Sequence, residues 1–573
     1  MKPNEGTLGI ITELDVEVPM RDGVILRAHI FRSDHPGQYP ALLHRTPYGK
    51  HTSGYDRYVR AGYVVVSQDT RGRYSSDGDY IPFTEPHTGD GEDGYDSVEW
   101  LADQPYCNGK IGTIGASYDA WMQWMLARLR PPHLVAMCAR SIPTELTEVD
   151  WWGAFRPARR VRWWLTTIAP DLRRRHGLSP PHSKEEANRI WTEVEQGRWL
   201  DLQPWMDIIK YLPPGLAEYA ESWLREPHRT PWRFKDYYAD ITIPNLDVSG
   251  WYDHCNATIK HLSGMQQQGG SESARIQTKL IIGPWSHINA GRRTNGTIDF
   301  GPQAEVDLTD IYIRWFDYWL KGLGNQVDLD PTVQYFVMGM NQWRSTDTWP
   351  PTGTKARPFF LSHSGDVRNL DERHLCSDPD PEEAEDLYEY DPKNPVSTLW
   401  TSDLFTTVSD RRQLEHREDI LTYRTPPLEE DLEIAGFPQM ILYAASSAPD
   451  TDFFARLIDE YPDGAAMDIC YGMVRARHRD RLDKEDFLIP GEITTFHITL
   501  GATACRFLKG HRIRLEITSS DFPNHDRNHN TGKNDLVDTE MVVAHQRVCH
   551  GGPHASRLIL PVSNEAIMRG VHA

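Results

Sequence analysis

The sequence predicts an α/β protein: a mostly parallel sheet covered on both faces, a helical insertion within it, and an all-β domain behind it. Three observations carry this prediction. Short apolar runs alternate with helical stretches from about residue 39 to residue 142; a Trp- and Arg-rich segment without strand signals then interrupts the pattern; and after Asn325 the chain turns to short β-branched and aromatic runs broken by Pro, Gly and Asp. Alternation of the first kind is how a parallel sheet with crossover helices reads, and the last is how a sandwich or jelly roll reads.

In chain order, ALLHRTPY, GYVVVSQDT, KIGTIGAS and HLVAMCARSI are buried strands by their length and punctuation, and Asp93 to Gln104 and Tyr118 to Arg130 are helices between them. From about Thr144 to Asp240 the chain reads as helical, with pieces near Lys184 to Glu195 and Gly215 to Arg225. PNLDVSGWYD and TKLIIGPWSH then return to the sheet, and the helix Leu308 to Lys321 stops at Gly322. TVQYFVMG, PFFLS, QMILYAAS, FFARLIDEY, TTFHITL, HRIRLEITSS and ASRLILPV supply the β domain, and the acidic stretch Ser377 to Asp391 reads as a solvated loop. The expected division is 1–143 and 241–330 for the two parts of the α/β core, 144–240 for the helical cap and 331–573 for the β domain.

Composition limits the function. The chain has 573 residues, enough for about three or four domains, with 39% hydrophobic and 25% charged residues, which excludes a disordered chain. Sixty-one Lys and Arg against 82 Asp and Glu leave a net charge of −21, which argues against nucleic-acid and anionic-membrane partners. Met1 to Met20 lacks a basic segment leading into an apolar run, so a cytoplasmic protein is expected. The seven cysteines are scattered without a CxxC pair, which fits reduced thiols, and neither a metal nor a cofactor is expected.

The chemistry centres on Gly115-Ala116-Ser117-Tyr118-Asp119-Ala120, which follows an apolar run and opens a helix. A strand, sharp turn and helix place a serine hydroxyl at the C-terminal edge of a sheet, and Gly115 matters because the turn leaves no room for a side chain there. Alone, the Gly-x-Ser turn fits a helix-capping serine equally well, because Asp119 stands where a second glycine is usual. GWYDHCN and GPWSHIN add Asp253 and His287, each just past an expected strand, in the order Ser, Asp, His. A serine needs an imidazole base and a carboxylate to orient it. The backbone N–H of Tyr118 and the hydroxyl of Tyr48, in the loop RTPYGK, are the candidate oxyanion donors.

RTPYGK, SQDTRGRYSSDGDY, the Ser117 elbow, SGWYD and GPWSH, with PDTDFFARLIDEYPDGAA, GMVRARHRD and GHRIRLEITSSDFPNHDRNHNTG, resemble the cocaine esterase-like (CocE/NonD) family of acyl hydrolases. That family is related to the X-prolyl dipeptidyl aminopeptidases and the α-amino-acid ester hydrolases. The resemblance runs from about Asp15 to Pro561 and implies an α/β-hydrolase domain with an inserted helical cap and a C-terminal jelly roll. It places the nucleophile on Ser117, the acid on Asp253, the base on His287, and the oxyanion donors on Tyr48 and the Tyr118 amide. Ala120 departs from the glycine that relatives often carry. The carboxylate cluster that α-amino-acid ester hydrolases place after the acid is replaced by His254, Cys255 and Asn256. The family's acyl pocket maps onto Trp151, Trp152, Trp163 or Trp164 (with Trp164 the choice), Cys255, Leu404 and Phe405, which implies an apolar or aromatic acyl group; the same tryptophans also fit a cap core.

These readings converge on a serine hydrolase that cleaves carboxylic esters of small-molecule substrates through an acyl-enzyme. An amidase, peptidase or acyltransferase on the same triad is the alternative, and a jelly roll that binds carbohydrate or a partner is the non-catalytic one. Edge strands of the β domain are the expected contact of a homodimer.

Overall fold

The computed structural model describes residues 9–83, 89–143, 155–156, 158–195, 201–225, 234–255, 258–363, 373–399 and 408–563. Its first sheet has ten strands. Eight are β1 (Ile10–Pro19), β2 (Ile25–Ser33), β3 (Tyr39–Thr46), β4 (Val64–Asp69), β5 (Cys107–Ala116), β6 (Leu134–Arg140), β7 (Asn245–Tyr252) and β8 (Thr278–Ser286), in the spatial order β1-β2-β4-β3-β5-β6-β7-β8. From β4 to β8 all neighbours are parallel, while β1 and β2 form an antiparallel edge. Every residue of β4, β7 and β8 is buried, as expected for central strands covered on both faces. The helix Tyr118–Ala127 is buried on all sides, which explains its apolar sequence YDAWMQWMLA.

Two features depart from expectation. The strands Val333–Val337 and Gln342–Thr346 extend this first sheet, with Val333 paired to Leu280 of β8, so the sheet continues beyond residue 330. β1 and β2 lie ahead of the expected strands: polar residues fill the exposed face of β1, as in ITELDVEV, whereas β2 is largely buried.

Between β6 and β7 the described chain is helical. Ala158–Trp163, a π-helical turn Trp164–Ile168 and Ala169–Arg175 run on as one helix; Lys184–Ile190, Trp205–Tyr211 and Leu216–Arg225 follow. Ser183 caps Lys184–Ile190 by accepting from the Glu186 N–H at 3.1 Å. This cap shares one apolar core with β1 to β6.

Apart from a two-stranded hairpin (Thr294–Asn295 with Ile298–Asp299), the other 13 strands, from Lys355–His363 to Arg557–Val562, form one branched, almost wholly antiparallel ladder of β-sandwich type around its own core. Trp251 and Tyr252 of β7 belong to that core, and the Tyr252 hydroxyl donates to the Asp468 carbonyl at 2.9 Å. The acidic stretch is not wholly loop: Ala384–Tyr390 is a strand that buries Asp386, Tyr388 and Tyr390. Asp386 is held well below the carboxylate range despite its burial, by His550, Tyr423 and Arg373.

Candidate active site

Ser117 is the first residue after β5, Asp253 the first after β7 and His287 the first after β8. Three C-terminal strand ends on one sheet edge thus supply three polar side chains, where ligands of open α/β sheets collect. Ser117 has φ 60° and ψ −122°, a strained conformation for a non-glycine residue, held by its N–H donating to the Arg140 carbonyl at 2.8 Å. Gly115 makes the turn possible: it has φ 152°, and a Cβ there would lie 2.6 Å from Asp119 Cβ. Asp119, in place of a second glycine, turns its carboxylate to His44 Nε2 at 2.9 Å, and His44 Nδ1 meets the Tyr55 hydroxyl at 2.6 Å. A buried polar chain therefore braces the elbow from beneath.

His287 Nδ1 lies 2.9 Å from Asp253 Oδ1, which also accepts the Cys255 N–H at 2.8 Å. Burial alone would raise the Asp253 pKa, but the charge and hydrogen bond of His287 outweigh it, and the carboxyl is held below its ordinary value. The carboxylate is thus ionised wherever the imidazole needs it. His254 packs against His287 with the rings tilted and their centroids 4.2 Å apart. Burial, then Arg159, His287 and Arg160, hold its pKa well down, so it stays neutral. Asp253, His254, Cys255 and His287 bring four potential metal-ligand atoms within 4.8 Å of one another, and two of these groups already hydrogen-bond to each other.

Tyr48 lies two residues beyond β3. Its phenol is pushed up by burial and by Asp119, against the Trp163 N–H, so it remains a protonated donor. The ring of Tyr118 plays a different part: buried under the elbow, it stacks on Phe83 at 4.0 Å and its hydroxyl donates to Asp90 Oδ2 at 2.6 Å. Its backbone N–H, at the first turn of Tyr118–Ala127, has no acceptor within its helix.

A cavity of about 340 Å³ brings Tyr48, Ser117 and His287 together with His254, Cys255, Phe83 and Trp163. Trp164, the expected pocket residue, is not in its lining. Fully buried, it packs edge-on against Trp223 at 5.3 Å in the cap core, while its helical neighbour Trp163, pointing in another direction, faces the cavity. Cys255 does line the cavity, and burial and then Asp253 push its thiol pKa well up. Trp151, Trp152, Leu404 and Phe405 lie outside the described residues.

Arg73 is a contributor that the sequence did not single out. Wholly buried, it donates to the Pro47 carbonyl at 2.8 Å and the Ile168 carbonyl at 2.9 Å, tying the Tyr48 loop to the cap. Asp69 and Arg71, in the same segment, have separate partners: Lys50 Nζ sits 2.7 Å from Asp69, and Arg71 pairs with Asp93 at 2.6 Å. Only the spacing of polar residues within SQDTRGRY hinted at such anchoring.

The sheet order, the strained serine after β5 and the Asp–His pair after β7 and β8 define an α/β-hydrolase with a helical cap and a C-terminal β-sandwich. The profile of the X-Pro dipeptidyl-peptidase (S15 family) matches residues 22–289, and that of the X-Pro dipeptidyl-peptidase C-terminal non-catalytic domain matches residues 325–559. The cocaine esterase of Rhodococcus sp. (strain MB1 Bresler) is 31% identical, over 96% of this chain and 98% of its own. An aminopeptidase of a marine-sediment Thaumarchaeota archaeon superposes with a TM-score of 0.77 at 24% identity, over 97% of each chain. A CocE/NonD family hydrolase from Staphylococcus aureus does so with 0.67 at 20% identity, over 96% of this chain and 94% of its own. The chain belongs to the cocaine esterase-like (CocE/NonD) family of serine ester hydrolases. Among the described residues no helix is long and apolar enough to cross a membrane.

Proposed function

We propose that the protein hydrolyses carboxylic esters through an acyl-enzyme on Ser117. The observation that carries this reading is that His287, paired with the buried Asp253 at 2.9 Å, lines the same cavity as Ser117. Ser117 Oγ attacks the ester carbonyl as His287 Nε2 takes its proton, and Asp253 stabilises the imidazolium through the Nδ1–H bond. Negative charge develops on the carbonyl oxygen, where the Tyr48 hydroxyl and the Tyr118 N–H donate. The intermediate collapses, His287 protonates the departing alkoxide and the alcohol leaves. Water then gives a proton to His287, attacks the acyl carbon, and the acid departs as the proton returns to Ser117. The relative named a cocaine esterase favours an ester over an amide.

A fluorophosphonate should label the protein at one site per chain, with the adduct mapped to the peptide containing Ser117 and absent from Ser117→Ala. Labelling elsewhere, or none of the folded protein, would overturn the assignment.

A further inference from the structure

The end of β6 lies between the strands that carry Ser117 and Asp253, and it is bonded to both sides. The carbonyl of Arg140, its last residue, accepts the Ser117 N–H at 2.8 Å, and the next residue, Ser141, donates its own N–H to the Val248 carbonyl of β7 at 2.8 Å. The Ile142 N–H then donates to Thr258 Oγ1 at 3.1 Å, and the Thr258 hydroxyl donates to the Cys255 carbonyl at 2.8 Å. The loop that follows Asp253 is therefore fastened to the same strand end as the nucleophile. Ser141 is 1% exposed and has φ 54°, a left-handed conformation that costs a serine energy and a glycine none.

Asp253 uses its two oxygens unequally. Oδ1 meets His287 Nδ1 at 2.9 Å and accepts the Cys255 N–H at 2.8 Å, whereas Oδ2 is buried outside any well-formed hydrogen bond among the described residues. The Ser141 hydroxyl is buried in the same condition. A buried carboxylate oxygen and a buried hydroxyl are each costly to leave without a partner. We propose that Ser141 is a positioning residue of this site, its hydroxyl donating to Asp253 Oδ2 and fixing the carboxylate plane that orients His287; this rests on the esterase reading above.

The electrostatics agree with this geometry. Burial pushes the Asp253 pKa up, and the charge and hydrogen bond of His287, then the Ser141 hydroxyl and the Cys255 N–H, bring it below the ordinary carboxylate value. A carboxylate held from both oxygens resists rotation, and a fixed carboxylate keeps the imidazole in the tautomer that turns Nε2 to the serine. Hydrogen bonds of a resting active site tighten in the reacting complex, where the imidazolium forms. The left-handed backbone of Ser141 is then strain held at a working position. His254, Cys255, Arg159 and Arg160 also act on the Asp253–His287 pair, and a change at Ser141 leaves all four in place.

Glycine takes φ 54° without strain, so Ser141→Gly removes the hydroxyl and keeps the fold, which circular dichroism checks. On a p-nitrophenyl ester its kcat should fall about tenfold with KM within about threefold of wild type. The midpoint of the acid limb of kcat/KM should rise by about half a pH unit or more, because a carboxylate that has lost a donor holds the imidazole's proton more tightly. Ser141→Ala, which lacks the hydroxyl but keeps a side chain, should show the same two changes. In an Asp253→Asn background the loss caused by Ser141→Gly should shrink to about twofold, since a residue that acts through Asp253 has little left to orient. An unchanged kcat, a fall in kcat with an unmoved midpoint, or an equal fall in the Asp253→Asn background would overturn the proposal.

The proton resonance of the His287 Nδ1–H reads the same midpoint with no substrate present. It should titrate at higher pH in Ser141→Gly than in the wild type, whether or not the wild type hydrolyses any ester. Identical midpoints contradict the role of Ser141 alone. A wild type that neither turns over an ester nor takes up a fluorophosphonate contradicts the esterase reading alone.

Discussion

Arg156 at the base of the cap and Asp526 in a loop of the β domain are joined at three points. Arg156 Nη1 meets Asp526 Oδ2 at 3.0 Å, the Arg156 N–H donates to Oδ1 at 2.7 Å, and the Asp526 N–H donates to the Arg156 carbonyl at 2.9 Å. Arg475 shares the same carboxylate at 3.2 Å while gripping Asp452 with two bonds of 3.0 and 2.9 Å. The β domain is thus bonded to the segment that leads into the cavity-lining helix.

Asp526→Ala would leave two buried guanidiniums short of an acceptor. We expect it to destabilise the protein by about 3–5 kcal/mol, the cost of breaking a buried pair from one side. Denaturant unfolding measures this; a change below about 1 kcal/mol would mean that the network is solvated.

Tyr48→Phe removes one oxyanion donor and little volume. Loss of about 3 kcal/mol of transition-state stabilisation corresponds to a fall in kcat of roughly 100-fold or more, with a smaller change in KM. Steady-state kinetics of the variant decide it: unchanged kcat would remove Tyr48 from the reaction.

Gly250→Ala tests how closely β7 and β8 must approach. A Cβ at Gly250 would lie 2.0 Å from the Trp285 carbonyl oxygen, three residues before Asp253 and two before His287. The strand ends would be forced apart and the Asp253–His287 bond lengthened, so kcat should fall by about tenfold or more, a few kcal/mol of geometry being enough. Circular dichroism should remain that of the folded protein, which separates misplacement from unfolding.

Asp247 on β7 gives a pH dependence of stability. Burial pushes its pKa from 3.8 up to about 8, opposed by the Asn245 amide, with Cys138 and Tyr312 close by. A carboxyl raised in the folded state holds a proton that the unfolded chain has lost. Its stabilising contribution is therefore full below about pH 4 and is lost as pH rises through about 8. Asp247→Asn imitates the protonated acid, so its melting temperature relative to wild type should climb between pH 5 and pH 8.5. A constant difference across that range would show that Asp247 is ionised throughout.

The sequence made the site legible where chemistry and strand ends coincide. Ser117, Asp253 and His287 each follow a short, mostly apolar run bounded by Gly or Pro (KIGTIGA, NLDVSGWY and TKLIIGPWS), which reads as a buried strand. The edge strand β1 was hidden because one face is solvated and polar, and Ala384–Tyr390 was hidden because its inward residues include an aspartate. Of the two candidate positions Trp163 and Trp164 it is Trp163 that lines the cavity: neighbouring residues on a helix point in different directions, and local composition does not say which of them faces the site.

The most direct measurement is the release of p-nitrophenol at pH 8 from acetate, butyrate and benzoate esters by wild type and by Ser117→Ala. The prediction is turnover of at least one ester by the wild type and a loss of roughly four orders of magnitude or more in kcat in the variant, as for removal of a triad nucleophile. A folded Ser117→Ala protein that keeps activity within tenfold of wild type would contradict the assignment of Ser117 as the nucleophile.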